Sequence, residues 1–224
     1  MIKKIVQNHL RRSPRANRWF IGKLMDYHTY AHHKIAELAS MLEGGIHPKH
    51  RITQYHQFFI DNVNHNDVVL DVGCGIGYLA HSVAVKAKKV TGIDFSKPNI
   101  AYAREHFRRD NLSFILGDVT QHTFAERPTK IILSNVLEHI DDRIGLLRSL
   151  AVIGDTMLFR VPMEDRDWLT IYKKEHGHEY RLDITHRIEF RLGTVTDELK
   201  RGGWRIEKYQ VNWGEFWAVL KKDI

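Results

Sequence analysis

The chain holds one cysteine, Cys74, in 224 residues. That excludes an internal disulfide framework and a cysteine-based zinc site, and it points to a reducing, cytoplasmic compartment. No apolar run approaches the roughly 18 residues that a spanning helix needs. The first residues, MIKKIVQNHLRR, lack the apolar core and small-residue cleavage site of a secretory signal. Neither charge dominates, since 34 basic residues against 27 acidic ones leave a net +7. The apolar fraction of 43% and charged fraction of 27% exclude collagen-like, low-complexity and wholly disordered chains.

The basic excess that exists is uneven. Residues 1–66 hold ten Lys/Arg and four Asp/Glu, net +6, and the remainder is nearly balanced. A basic segment attracts phosphates, anionic lipid or nucleic acid. Ile2, Ile5, Val6 and Leu10 share one helical face, so a membrane surface stays open as a partner. The 15 histidines include candidates for proton transfer or metal binding.

Helical spacing from about residue 15 to 43 ends at Gly44-Gly45, and a second helical pattern runs from Ile52 to Val63. Residues 1–64 therefore read as a helical extension that forms a cap, a substrate surface or a homo-oligomer contact. From Asp67 the texture changes. Five short strands, at about 68–70, 89–93, 112–116, 130–134 and 156–161, alternate with helices, and two closing strands come after them at 204–211 and 215–221. Such alternation predicts a Rossmann-like, seven-stranded, mostly parallel α/β sheet with helices on both faces, spanning 65–224. Residues 162–193, dense in charge and aromatics, read as an insertion at the ligand-binding edge.

The stretch Val69-Leu-Asp-Val-Gly-Cys-Gly-Ile-Gly77 joins a buried strand to a glycine turn. A dinucleotide fingerprint requires its third glycine at position 78, which is Tyr78, and no phosphate-loop Lys-Ser/Thr comes next. Asp94 closes the second strand, where a carboxylate can accept both ribose hydroxyls of an adenosine. Asp118 can accept the adenine amine, Val119 can donate its backbone N–H, and Ile76 and Phe95 can pack on the rings.

LDVGCGIG at 70–77, GIDFS at 92–96, GDV at 117–119 and SNVLEHI at 134–140 together resemble the class I S-adenosylmethionine-dependent methyltransferases. The resemblance covers about residues 65–161. It implies a cofactor site of Asp71, Gly73, Cys74, Gly75, Gly77, Asp94, Phe95, Asp118, Val119 and Asn135, with S-adenosylhomocysteine as product. His50 and Arg51, which precede the first strand, are candidates for the cofactor carboxylate or the substrate.

The residues after the fourth strand bear on the acceptor. Ser134-Asn-Val-Leu-Glu-His139 lacks the Asn/Asp-Pro-Pro-aromatic sequence of amino-methylating enzymes, which argues against exocyclic base amines. Cys74 lies in the cofactor turn, which argues against covalent catalysis by cysteine. His139 is then the candidate general base, with Glu138 and His186 supporting it. SNVLEH and the later DITHRIEF are similar to metal-dependent O-methyltransferases, but Asn135 replaces their first acid. Magnesium is therefore disfavoured, and no metal ligand is assigned. The texture of 46–63 and 165–190 is similar to bacterial methyltransferases of glycan biosynthesis. The expected reaction is O-methylation of a small molecule or glycan precursor, which can bear phosphate. The rivals are a metal-assisted RNA ribose 2′-O-methyltransferase and a non-catalytic, cofactor-binding scaffold subunit.

Overall fold

A computed structural model describes residues 13–223, so the amphipathic pattern at 2–10 lies outside the described residues. In chain order the elements are helices α1 (Pro14–Leu42), α2 (Lys49–Thr53) and α3 (Tyr55–Asp61), strand β1 (Val68–Val72), α4 (Tyr78–Val83), β2 (Lys89–Asp94), α5 (Lys97–His106), β3 (Leu112–Leu116), β4 (Lys130–Ser134), α6 (Arg143–Ile153), β5 (Thr156–Pro162), α7 (Trp168–Glu175), α8 (Leu192–Arg201), β6 (Trp204–Asn212) and β7 (Glu215–Lys222). Among the described residues no helix is long and apolar enough to cross a membrane.

The chain groups into two compact units. One takes residues up to Ile52 together with Asp167–Leu182, and the other takes Thr53–Arg166 together with the chain from Asp183 onward. In the first unit, α1 starts at Ser13, whose hydroxyl accepts from the Ala16 N–H, with Pro14 in the first turn. Residues of the 167–182 segment lock onto it. The buried Lys173 Nζ donates to Thr29 Oγ1 at 2.7 Å, and His178 Nδ1 meets Asp26 Oδ1 at 2.7 Å.

In the second unit the sheet order is β3-β2-β1-β4-β5-β7-β6. The first five strands in that order are parallel, and β7 pairs antiparallel with both β5 and β6. Every residue of β1 is buried, as expected of a central strand covered on both faces. One face packs Leu70, Val72, Ile131 and Leu133 against Leu147, Leu150, Val195 and Leu199. The other packs Val69, Val90 and Ile132 against Ala80, Val83, Ile100 and Ala103. Tyr55, Phe59 and Val63 belong to this second cluster. Residues 53–64, expected with the extension, therefore pack with the sheet, because their aromatic face completes its cover. The parallel strands bring the ends of β1, β2, β3 and β4 to one edge, where open α/β sheets bind ligands.

Candidate active site

A cavity of about 220 Å³ opens at that edge, lined by Gly73, Asp94, Phe95, Asp118, Val119, Val136 and Ile140 among others. Gly73, at φ +66°, comes directly after β1. A Cβ there would lie 2.5 Å from Val136 Cγ2, so both backbone hand and space require glycine. Gly75, at φ +54°, differs, since a Cβ on it meets nothing within 4 Å. Its N–H instead donates to Asp94 Oδ2 at 2.9 Å.

Asp94 ends β2. Its other oxygen accepts from the Ser96 N–H at 2.8 Å, so two backbone amides aim the carboxylate. A carboxylate oxygen has more than one lone pair, so both oxygens can still accept from a diol. Asp118 Oδ1 accepts from the N–H and hydroxyl of Thr120, each at 2.8 Å. Phe95 is 81% exposed over the cavity, and Val119 is buried beneath it. Apolar walls with two aimed carboxylates fit an adenosine. Ile76 is not among the lining residues.

Asp71 is 2% exposed within β1. Burial, and next the charge of Asp94, push its carboxyl up to about 8. Cys74 packs under β2, and burial pushes its thiol up, so it is inert as a nucleophile. Gly77, at φ +89°, starts α4. Asn135 comes directly after β4 in the left-handed region, at φ +53°, with its N–H donating to the Arg160 carbonyl at 2.9 Å. Arg160 is itself fixed. Its guanidinium donates to both oxygens of Glu215, at 2.7 and 2.5 Å, and lies 3.7 Å from the centre of the Tyr55 ring. Burial pushes the Tyr55 hydroxyl up to about 12. His50 and Arg51 fall in the first unit, are not among the lining residues, and Arg51 pairs with Glu43 at 2.5 Å.

Between Val136 and Ile140 a single 3₁₀ turn, Leu137–His139, carries the acceptor-side candidates. Glu138 is fully buried, and its carbonyl accepts from the Arg187 N–H at 2.7 Å. That bond straps the 185–190 segment onto the turn. The rings of His139 and His186 meet edge to face at 4.8 Å. Glu138, His139 and His186 each offer a ligand atom within 4.8 Å of the others. Sequence reading therefore joined three residues that the fold does bring together. Burial, and next His186, hold the His139 imidazole below its usual range, so it is neutral near pH 7.

The groups behind these histidines were not singled out from sequence. Thr185 Oγ1 lies 3.0 Å from His139 Nδ1 and donates to Asp183 Oδ1 at 2.7 Å. Glu189 Oε1 lies 3.0 Å from His186 Nδ1, and its other oxygen pairs with Arg166. A polar residue three positions from a histidine is too common a pattern to stand out.

Residues 69–153 match the family described as methyltransferase domain. The ubiquinone biosynthesis O-methyltransferase of Serratia proteamaculans is 32% identical over 155 residues, covering 62% of this chain and 64% of that protein. The chain thus spans under two thirds of that relative's length. Two solved structures share the fold. An S-adenosylmethionine-dependent methyltransferase from Clostridium acetobutylicum has TM-score 0.62 at 14% identity, covering 88% of this chain and 99% of that one. Magnesium protoporphyrin IX methyltransferase from Synechocystis, with bound S-adenosylhomocysteine, has TM-score 0.60 at 17% identity, covering 76% and 83%.

Proposed function

We propose, from the premise that the chain carries a class I S-adenosylmethionine-dependent methyltransferase domain, that it methylates a hydroxyl oxygen of a small molecule. The observation that carries this reading is the His139 imidazole, next to cavity-lining Ile140, edge to face with His186 and held below its usual range by burial. When bound, S-adenosylmethionine supplies an activated methyl group and leaves as S-adenosylhomocysteine. Asp94 would hold the ribose, Asp118 and Val119 the adenine, and Asp71 with Gly73, Cys74, Gly75 and Gly77 the amino acid end, with Asn135 beside the sulfonium-bearing part. His139 would take the proton of the acceptor hydroxyl. Glu138 and His186 orient that imidazole and the acceptor.

The relative's name, a ubiquinone biosynthesis O-methyltransferase, supports a small-molecule hydroxyl acceptor, and a glycan precursor bearing phosphate is the other candidate. Two probes separate them. Tritiated methyl transfer to catechol tests a phenolic hydroxyl, and transfer to uridine diphosphate glucose tests a sugar hydroxyl. Product from either supports the reading. No product with S-adenosylhomocysteine still binding supports the scaffold rival. RNA binding that weakens steeply with salt supports the ribose rival.

A second reading rests on the three clustered ligand atoms. Two imidazoles and one carboxylate suit zinc better than magnesium, because Asn135 supplies no further carboxylate. Activity lost to a chelator and restored by zinc favours it, and activity indifferent to chelator leaves His139 as a metal-free base.

A further inference from the structure

We propose that Thr185, backed by Asp183, and Glu189, backed by Arg166, are positioning residues that hold His139 and His186 as Nδ1–H tautomers, so that Nε2 is the lone-pair nitrogen of both rings. The inference rests on the hydroxyl-methylating reading and names the atom that takes the proton.

The polarity of each hydrogen bond is set by what its partners can do. Asp183 Oδ1 receives the Thr185 N–H at 2.8 Å, and a backbone N–H only donates. That oxygen is therefore an acceptor, and the Thr185 hydroxyl, 2.7 Å away, gives it its single proton. The hydroxyl oxygen then has only lone pairs left for His139 Nδ1 at 3.0 Å. His139 must donate from Nδ1, and in a neutral imidazole the other nitrogen is then bare.

His186 is made to donate from Nδ1 by another route. Its Nδ1 faces Glu189 Oε1 at 3.0 Å, a carboxylate oxygen that accepts. The Glu189 side chain is fully buried, and Arg166, which also donates to the Met163 carbonyl at 3.0 Å, pairs with its second oxygen. An arginine has no acceptor to offer, so this pair cannot reverse. Two independent devices on one seven-residue stretch thus impose the same tautomer on two rings 4.8 Å apart. The Nε2 lone pair of His139 becomes the proton acceptor of the site.

Each device has a substitution that reverses it without removing the ring. In Thr185→Val the hydroxyl that accepts from Nδ1 is gone, which removes the bias toward Nδ1–H. Thr185→Ser restores the hydroxyl. In Glu189→Gln the amide oxygen turns to Arg166, which only donates, and the amide NH₂ then faces His186 Nδ1. That nitrogen must accept, and the proton moves to Nε2. Long-range ¹H–¹⁵N NMR of the ¹⁵N-histidine-labelled protein at pH 8 reads the tautomers, with His139→Gln and His186→Gln spectra for assignment. The expected result is Nδ1–H in both rings, a switch at His139 in Thr185→Val that Thr185→Ser reverses, and a switch at His186 in Glu189→Gln. For catechol methylation, Thr185→Val should lower kcat roughly 10²-fold with S-adenosylhomocysteine affinity unchanged. An Nε2–H ring in the unsubstituted protein, or tautomers that ignore both substitutions, overturns the proposal. Absence of methyl transfer by the unsubstituted protein sinks the functional reading instead and leaves the spectra standing.

Discussion

The two halves of the site are built by different means. The proposed nucleotide side is shaped by backbone. Gly73 and Gly75 turn the chain, and the amides of Gly75 and Ser96 aim Asp94. The proposed acceptor side is made of side chains from separate turns and loops, as His139 meets Thr185 and His186 across 46 or more positions. A backbone-built site tolerates few substitutions but varies little in what it binds. A side-chain-built site can be retuned one residue at a time, which suits the end that meets a variable acceptor.

The largest effect expected sits on the acceptor side. His139→Ala should lower kcat by about 10²–10⁴-fold, the range for loss of a general acid–base group, and leave S-adenosylhomocysteine affinity unchanged. Because burial and His186 hold the imidazole below its usual range, the acid limb of kcat/KM should fall below pH 6.5. A limb above that value, or turnover unchanged in the variant, breaks the assignment of the two halves.

On the nucleotide side, Gly73→Ala should cost about 2–4 kcal/mol of stability. The left-handed backbone contributes about 1–2 kcal/mol and the 2.5 Å approach to Val136 the rest. Urea unfolding checks it. Gly75→Ala has the same backbone hand with open space around it. It should cost only the backbone part yet weaken S-adenosylhomocysteine binding, a contrast that a purely structural glycine turn would not give.

Asp94→Ala should weaken S-adenosylhomocysteine by about 1–3 kcal/mol through lost charge-assisted hydrogen bonds. The substitution also strips the Gly75 and Ser96 amides of their acceptor, so the unliganded protein should lose about 1–2 kcal/mol as well. Calorimetry on the ligand and urea unfolding without it separate the two losses. A stability loss with unchanged affinity would reduce Asp94 to a turn residue.

The same contrast explains what could be read from sequence. The glycines, Asp94 and Asp118 announce themselves because each sits at a strand end within a short window, and turn chemistry is local. Seven strands were legible for the same reason, from β-branched runs set off by turns and helices. The limit of residues 1–64 was not, because helical spacing shows that Tyr55 and Phe59 share a face but not which layer that face meets. Arg160 and Glu215 read as ordinary charges on separate strands, and only the antiparallel β5–β7 pairing turns them into a buried pair. Glu189 likewise gave no signal until the fold supplied both Arg166 and His186.

Asp71 supplies the finest test, because it belongs to the backbone-built half yet behaves as a titrating side chain. Its carboxyl is pushed up to about 8 by burial, against 3.8 for the unperturbed group. Between those values the folded protein holds a proton that the unfolded chain has released. Its contribution to stability is therefore full below about pH 4 and is lost as pH rises through 8. Thermal unfolding of the unliganded protein should show that decline, and Asp71→Asn should flatten it. An ammonium group on the ligand calls for the ionised carboxylate, so binding should release a proton near neutrality. With a free-protein value of about 8, S-adenosylhomocysteine affinity should rise about fivefold from pH 7 to pH 8. Calorimetry in two buffers of different ionisation enthalpy measures the proton directly. Binding without proton release would mean that Asp71 stays neutral beneath the turn and that the ammonium is held by backbone carbonyls instead.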